Sequence, residues 1–149
     1  MTDPNHVDID ADLAGRVNLA LREIVLLLRR VSADAVVSSP QLSVLGSLET
    51  GPVRMSDLAA EHGVRLPTMT AQVNRLERDG LARRHRDNRD ARVVTVTLTP
   101  AGRAALHAGR TTRIGFLTER LERLSPDDRR AIAAALPALS RLSKGDTSP

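Results

Sequence analysis

Arginines are concentrated in one stretch of this 149-residue chain, between positions 65 and 92. That stretch holds eight arginines against four acidic residues, whereas the rest of the chain carries 14 basic and 14 acidic residues. The formal net charge of +4 therefore comes entirely from these 28 residues. A clustered basic segment is typical of a protein that contacts a phosphate backbone, and the alternative from charge alone is a solvated basic face.

Positions 66 to 79 carry side chains that suit the reading of base pairs. On a helical wheel Met69, Val73 and Leu76 share one face, which predicts an amphipathic helix with a polar outer face. Arginine can pair with guanine, Asn or Gln with adenine, and the methyl groups of Thr or Ala with thymine. The predicted DNA-facing residues are Pro67, Thr68, Ala71, Asn74, Arg75 and Arg78, with Gln72 at the rim.

A second candidate contact lies in the polar segment 87–92, where Arg89 stands between Asp87 and Asp90. An arginine at the tip of a rigid ribbon can enter a narrow minor groove, where the negative potential is strongest. The aspartates fit that role if one of them orients an arginine through a charge-assisted hydrogen bond. The alternative is a surface loop with weak ion pairs.

The elements that must position these side chains follow from hydrophobic spacing and from chain breakers. Apolar residues three and four apart predict helices, and Ser or Thr followed by Pro marks where several of them begin. After Gly80 the period changes to two, which predicts a hairpin. The predicted order is helices over 11–31, from Ser39 and Pro40 to Gly51 and Pro52, over 56–62 and 66–79, a hairpin of 81–86 with 92–98, and helices over 101–123 and 127–142.

The composition excludes several other functions. A single aromatic residue, Phe116, excludes base stacking and aromatic cages, and the absence of cysteine excludes thiol catalysis and thiolate metal sites. With no glycine-rich phosphate loop, no nucleophile elbow, no clustered carboxylate pair and only four scattered histidines, we expect no enzyme, no metal and no cofactor. The longest strongly apolar run is 24–28, and residues 1–10 lack the core of a signal peptide, so a cytoplasmic protein without membrane contact is expected.

The helices at both ends carry more apolar surface than a monomer of this size needs to bury. We therefore expect 11–32 and 101–142 to form a dimerisation layer, and the alternative is a bundle within one chain. The segments 1–10 and 143–149 are predicted to be flexible tails.

Several motifs together resemble the multiple-antibiotic-resistance regulator (MarR) family. They are D-x-R-D-x-R at 87–92, V-T-V-T-L-T-P-A-G-R at 94–103, S-D-L-A at 56–59 and L-E-R-D-G-L at 76–81. The resemblance extends over residues 11 to 142. It implies a mainly α fold with a small β-hairpin wing, a winged helix-turn-helix in which residues 35–100 form the DNA-binding lobe.

The resemblance also implies a homodimeric transcriptional regulator, usually a repressor, that binds pseudo-palindromic double-stranded DNA. Arg89 would then be the minor-groove arginine and Asp87 its orienting partner, while Arg92 would brace the wing. Pro67, Thr68, Gln72 and Arg75 would contact the major groove, and Arg86 is a further candidate DNA contact. Where the family usually has a serine cap, this chain has Arg65, which could reach a phosphate instead.

Family members often release DNA when a small aromatic or phenolic compound binds between the dimerisation layer and the DNA-binding lobe. The resemblance implies that Arg29, Arg30 and His107 could approach an anionic effector, and the alternative is that all three are ordinary solvated or ion-paired residues. Without cysteine, thiol oxidation cannot be the inducing signal. The alternative function is a winged-helix protein-interaction module without sequence-specific DNA recognition.

Overall fold

The computed structural model describes residues 4–31, 37–86 and 93–144. Helices account for most of these residues, as the predicted fold class requires, and three short strands form one small sheet. The order is α1 (Pro4–Val31), α2 (Ser39–Ser47), β1 (Val53–Arg54), α3 (Met55–Glu61), α4 (Leu66–Arg78), β2 (Ala82–Arg86), β3 (Val94–Leu98), α5 (Pro100–Glu122) and α6 (Pro126–Lys144).

Helix α1 begins earlier than predicted. Its first residue is Pro4, so residues 4–10 extend the helix and do not form a tail. Proline is tolerated at the first helical position because the N–H that it lacks would have no partner within the helix. At the other end of the chain α6 runs to Lys144, two residues beyond the predicted 142.

Helix α2 begins with a capping box one residue before the predicted cap. The hydroxyl of Ser38 accepts a hydrogen bond from the backbone N–H of Gln41, and the Gln41 side chain accepts one from the backbone of Ser38. Ser39, the predicted cap, is instead the first helical residue. The reciprocal bonds favour Ser38 because they satisfy two backbone donors that the helix leaves unpaired.

The sheet contains one strand more than the predicted hairpin. Strand β1 pairs antiparallel with β3, so that Val53 lies opposite Val96, and the strand order is β1, β3, β2. Gly51, with φ of 145°, makes the turn that brings the chain into β1. Strand β1 has only two residues and follows Pro52, so it is too short to show the alternating pattern that predicts a strand. Strand β2 pairs with the other side of β3 and forms an edge of the sheet.

The apolar core lies in residues 37–112, which we call the lobe. Leu42, Leu45 and Leu48 of α2 and its end face inward and pack with residues of α3, α4 and the sheet. The largest fully buried side chains are Val44, Leu45, Leu48, Leu58, Met69, Val73, Leu76 and Val96.

Close packing at the start of α5 fixes that helix against the lobe. A Cβ on Gly102 would lie 1.9 Å from the carbonyl oxygen of Leu81, so only glycine fits there. The hydroxyl of Thr99 accepts a hydrogen bond from the backbone N–H of Gly102 at 2.9 Å and donates one to the carbonyl of Gly80 at 2.8 Å. The predicted threonine cap is therefore confirmed, and it also ties α5 to the turn after α4.

The chain divides into two units, residues up to 112 and residues from 113 onward. The second unit contains the last part of α5 and all of α6, which begins with Ser125 accepting a hydrogen bond from the Asp128 backbone N–H at 3.1 Å. No helix in the described ranges is both long and apolar enough to cross a membrane. We call α1, α5 from residue 113 onward and α6 the terminal helices.

Candidate nucleic-acid interface

Helix α4 is held in the lobe by one apolar face. Met69, Val73 and Leu76 are fully buried and pack in the same cluster as Leu58 of α3, which confirms the predicted inner face. Gly63 makes the turn between α3 and α4 with a positive φ of 60°. A short helix, a tight turn and a second helix form a helix-turn-helix, and α4 is the second helix.

The outer face of α4 is polar and exposed. Gln72 is half-buried at the rim, as predicted. The cap residue Arg65 is extended and makes no side-chain capping bond. The side chains exposed here are those of Arg65, Pro67, Thr68, Ala71, Asn74, Arg75 and Arg78.

A group of hydrogen bonds that the sequence did not reveal joins this helix to β2. The guanidinium of Arg84 donates to the carbonyl oxygen of Thr70 at 3.1 Å and to the side-chain oxygen of Asn74. It also lies 3.1 Å from a carboxylate oxygen of Glu77, whose second oxygen accepts the Arg84 backbone N–H at 2.8 Å. Opposite charges on either side of Gly80 are the only signal of these bonds in the sequence, and they do not stand out from the rest of the basic stretch.

The hairpin carries further polar side chains toward the predicted wing. Arg86, at the end of β2, is exposed, and His85 forms a 2.9 Å hydrogen bond with the Thr97 hydroxyl across the strands. Asp87 and Arg89, the predicted tip contacts, lie outside the described residues, as does the bracing residue Arg92.

A cavity of about 430 Å³ lies between the beginning of α4 and the sheet. Arg54 and Arg86 supply positive charge to its wall, where Arg84 is already paired with Glu77, and Leu66 and Val94 contribute apolar wall. Arg54 was not among the predicted contacts because it falls outside the 65–92 stretch. Positive charge therefore surrounds the beginning of α4 and adds to the favourable field that a helix N-terminus offers to phosphate.

His107 lines a second cavity, of about 750 Å³, at the junction of α2, β3 and α5. We call it the His107 cavity. Its wall includes Arg103 and Arg110 but neither Arg29 nor Arg30, which are exposed in the last turn of α1.

One ion pair crosses the wall of the His107 cavity. Two nitrogens of Arg110 bind the two carboxylate oxygens of Glu49, each at 2.8 Å. These hydrogen bonds lower the pKa of Glu49 below its ordinary value and raise that of Arg110. Arg103 and His107 supply the other basic side chains of the wall.

Comparison with known proteins extends this description. The sequence profile of the MarR family matches residues 37–94. An HTH-type transcriptional regulator of Mycobacterium leprae is 33% identical over 144 residues, which is 96% of this chain and 99% of that protein. The solved structure of the transcriptional regulator BldR from Sulfolobus solfataricus superposes with a TM-score of 0.72 at 27% identity, over 95% of this chain and 99% of BldR.

Streptococcus pneumoniae FabT, solved in complex with DNA, is similar in fold. It superposes with a TM-score of 0.68 at 19% identity and covers 91% of this chain and 97% of FabT. The similarity to these proteins therefore extends beyond the lobe and includes the terminal helices.

Proposed function

The chain belongs to the MarR family of DNA-binding transcriptional regulators, and from that membership we propose that it acts as a homodimeric repressor on a pseudo-palindromic operator. In this proposal α4 of each subunit enters a major groove and the hairpin reaches the adjacent minor groove. This membership makes the chain a transcriptional regulator and not an enzyme.

The observation that carries the proposal is the division of α4 into two faces. Three fully buried apolar residues fix one side of the helix in the core, while Thr68, Arg75 and their neighbours are exposed on the other. A helix held this firmly can present side chains at a fixed depth in a groove. Arginine and threonine supply the donors and methyl groups that distinguish base pairs.

Exposed apolar side chains on the terminal helices support the homodimer. Leu13, Leu19 and Ile24 of α1 are each about half exposed, as are Leu136 and Leu139 of α6. A second copy of the chain would remove this surface from water, which is the main driving force for stable association. Two copies related by a twofold axis would place their α4 helices in major grooves about 10 base pairs apart.

We further propose that a small aromatic or phenolic anion weakens DNA binding. The His107 cavity supports this part of the proposal, because Arg103 and His107 stand beside the apolar side chains Leu98 and Ala104 in its wall. A carboxylate or phenolate could pair with the basic groups while its ring contacts the apolar ones. Salicylate should release DNA from the wild-type protein and not from His107→Ala with Arg103→Ala.

The DNA-binding part of the proposal is tested by selecting duplexes from a random pool with the wild-type protein. We expect a two-half-site sequence that binds far more tightly than a scrambled duplex at the same salt. Arg75→Ala and Arg89→Ala should each weaken binding to the selected duplex by about 1 to 3 kcal/mol. Arg141→Ala, which removes an exposed charge from α6, is the control.

A different result would favour the alternative function. If binding depends on salt but does not distinguish the selected from the scrambled duplex, only charge is being recognised and the operator proposal is wrong. If the selected duplex reduces transcription from a promoter placed beside it when the protein is present, the repressor assignment stands. Increased transcription would make the protein an activator.

A further inference from the structure

Arg84 makes several hydrogen bonds to α4 from the strand that leads into the wing. Its partners Thr70, Asn74 and Glu77 are four and three residues apart, so they form one stripe along the side of the helix. We propose that Arg84 is a positioning residue that fixes the rotation of α4 relative to the hairpin, and thereby determines sequence specificity without touching DNA. The proposal rests on the proposed function, in which both elements contact DNA.

The backbone of Arg84 takes part in the same arrangement. Its N–H points away from β3 and donates to Glu77 at 2.8 Å, so α4 covers the free edge of the sheet at this point. Glu77 thus binds both the backbone and the side chain of one residue, with one carboxylate oxygen for each. A rotation of α4 about its axis would break these bonds together, which makes the orientation well defined.

The guanidinium of Arg84 is poorly placed to bind a phosphate. Its side chain is 25% exposed and that of Glu77 is 31% exposed, whereas the side chains of Arg75 and Arg78 on the outer face are open to solvent. Its terminal nitrogens already have three protein acceptors, and its Nε is buried. A phosphate contact would require Arg84 to give up these charge-assisted hydrogen bonds to α4.

The test compares Arg84→Ala with Arg83→Ala. Arg83 is the preceding residue of β2 and is exposed. Arg83→Ala therefore removes the same formal charge as Arg84→Ala but leaves the bonds between Arg84 and α4 in place. We expect Arg84→Ala to bind the selected duplex about tenfold more weakly than Arg83→Ala, since several hydrogen bonds donated by the charged guanidinium are lost. The two variants should bind a scrambled duplex equally well.

Salt dependence separates positioning from contact. Loss of one phosphate contact reduces the slope of log affinity against log salt by about 0.9. We expect the slope of Arg84→Ala to equal that of Arg83→Ala, whereas a reduction by about one would make Arg84 a phosphate contact and overturn the proposal. Equal affinity of the two variants for the selected duplex would overturn it as well.

The change in DNA affinity caused by Glu77→Gln should have opposite signs under two explanations, simple electrostatics and positioning of α4 by Arg84. The substitution removes a negative charge beside the DNA surface, so simple electrostatics predicts tighter binding to every duplex. If Arg84 positions α4 through Glu77, binding to the selected duplex should instead weaken severalfold while scrambled binding does not. Tighter binding to both duplexes would contradict the proposal. This variant also decides the matter if Arg84→Ala does not fold.

Hydrogen exchange measured in the absence of DNA tests the positioning role of Arg84 independently of the proposed function. Arg84→Ala should accelerate amide exchange in β2 and in the last turns of α4, and Arg83→Ala should not. If the wild-type protein selects no sequence but this difference is seen, the operator proposal fails and the structural role of Arg84 stands. Unchanged exchange would overturn the positioning role whatever the DNA results.

Discussion

The apolar side chains of the lobe and those of the terminal helices differ sharply in exposure. In the lobe, Leu45, Leu58 and Met69 are fully buried, and Leu66 is the one large apolar residue exposed among those that the structure describes there. In the terminal helices, by contrast, six large apolar residues of α1 are 42 to 58% exposed, and four of α6 are similarly open. The same residue type thus has different surroundings in the two regions.

This difference indicates how each region is stabilised. The lobe closes its own core, so its folding should depend on contacts within one chain. The terminal helices have apolar faces that only another surface can cover, so their stability should depend on protein concentration. DNA recognition and association would then rest on separate parts of the sequence.

The largest effect should come from Leu58→Ala in the lobe. Leu58 is fully buried, so truncation leaves a cavity and should lower the free energy of unfolding by about 2 to 5 kcal/mol. Leu136→Ala removes the same atoms from a side chain that is 55% exposed. It should leave lobe unfolding almost unchanged and weaken self-association by about 1 to 3 kcal/mol.

Urea unfolding at two protein concentrations and sedimentation equilibrium provide the measurements. Leu58→Ala should shift the unfolding midpoint equally at both concentrations without changing the dissociation constant of the dimer. Leu136→Ala should change the dissociation constant alone. If Leu136→Ala dissociates no more readily than the wild type, the exposed face of α6 is not part of the dimer.

Replacing either of two glycines of α5 by alanine should change the free energy of unfolding by a smaller amount, with opposite signs in the lobe and in the terminal helices. Gly102→Ala should destabilise the lobe by about 1 to 3 kcal/mol, because the new Cβ meets backbone that must shift. Gly115→Ala introduces the same methyl group where, apart from its chain neighbours and the backbone of its own helix, no heavy atom lies within 4 Å of the new Cβ. It should stabilise the helix by about 0.5 to 1 kcal/mol through its higher helix propensity.

Thermal unfolding of both variants at one protein concentration tests this pair. A fall in Tm for Gly102→Ala together with a rise for Gly115→Ala is expected. A fall for both would mean that a second chain packs closely against Gly115, and the comparison of the two regions would then have to include that contact.

Much of the fold could be predicted because its signals are local. The spacing of Met69, Val73 and Leu76 predicts the inner face of α4, and the Thr99 and Ser125 caps precede prolines at the helix starts. Each of these signals uses residues within one turn or one element. The structure confirms them because tertiary packing does not oppose them.

Other features depend on partners distant in the chain. Strand β1 exists because Val53 meets Val96, and Gly102 is required because α5 approaches Leu81. The bonds of Arg84 to α4 likewise need the turn at Gly80 to be in place. Neither composition nor periodicity records such approaches, so the sequence predicts the elements better than the contacts between them.

The smallest expected effect comes from the ion pair that joins the turn after α2 to α5 within the lobe. Hydrogen bonds from Arg110 lower the pKa of Glu49 in the folded state, so the pair favours folding only while Glu49 is ionised. Its contribution should be complete above the ordinary pKa of 4.5 and should disappear as the pH falls through the lower folded value. The Arg130–Asp127 pair of α6 lies within one turn and joins no separate elements.

Urea unfolding of the wild type and of Glu49→Gln across this pH range measures the contribution of the pair. The wild type should be slightly more stable above pH 5, the difference should shrink toward pH 3, and added salt should reduce it, because both side chains are exposed. Asp127→Asn should give little difference at any pH, since its partner is a neighbour in the same helix. A wild-type advantage that grew as the pH fell would contradict the lowered pKa, and an equal effect in α6 would remove this distinction between the two regions.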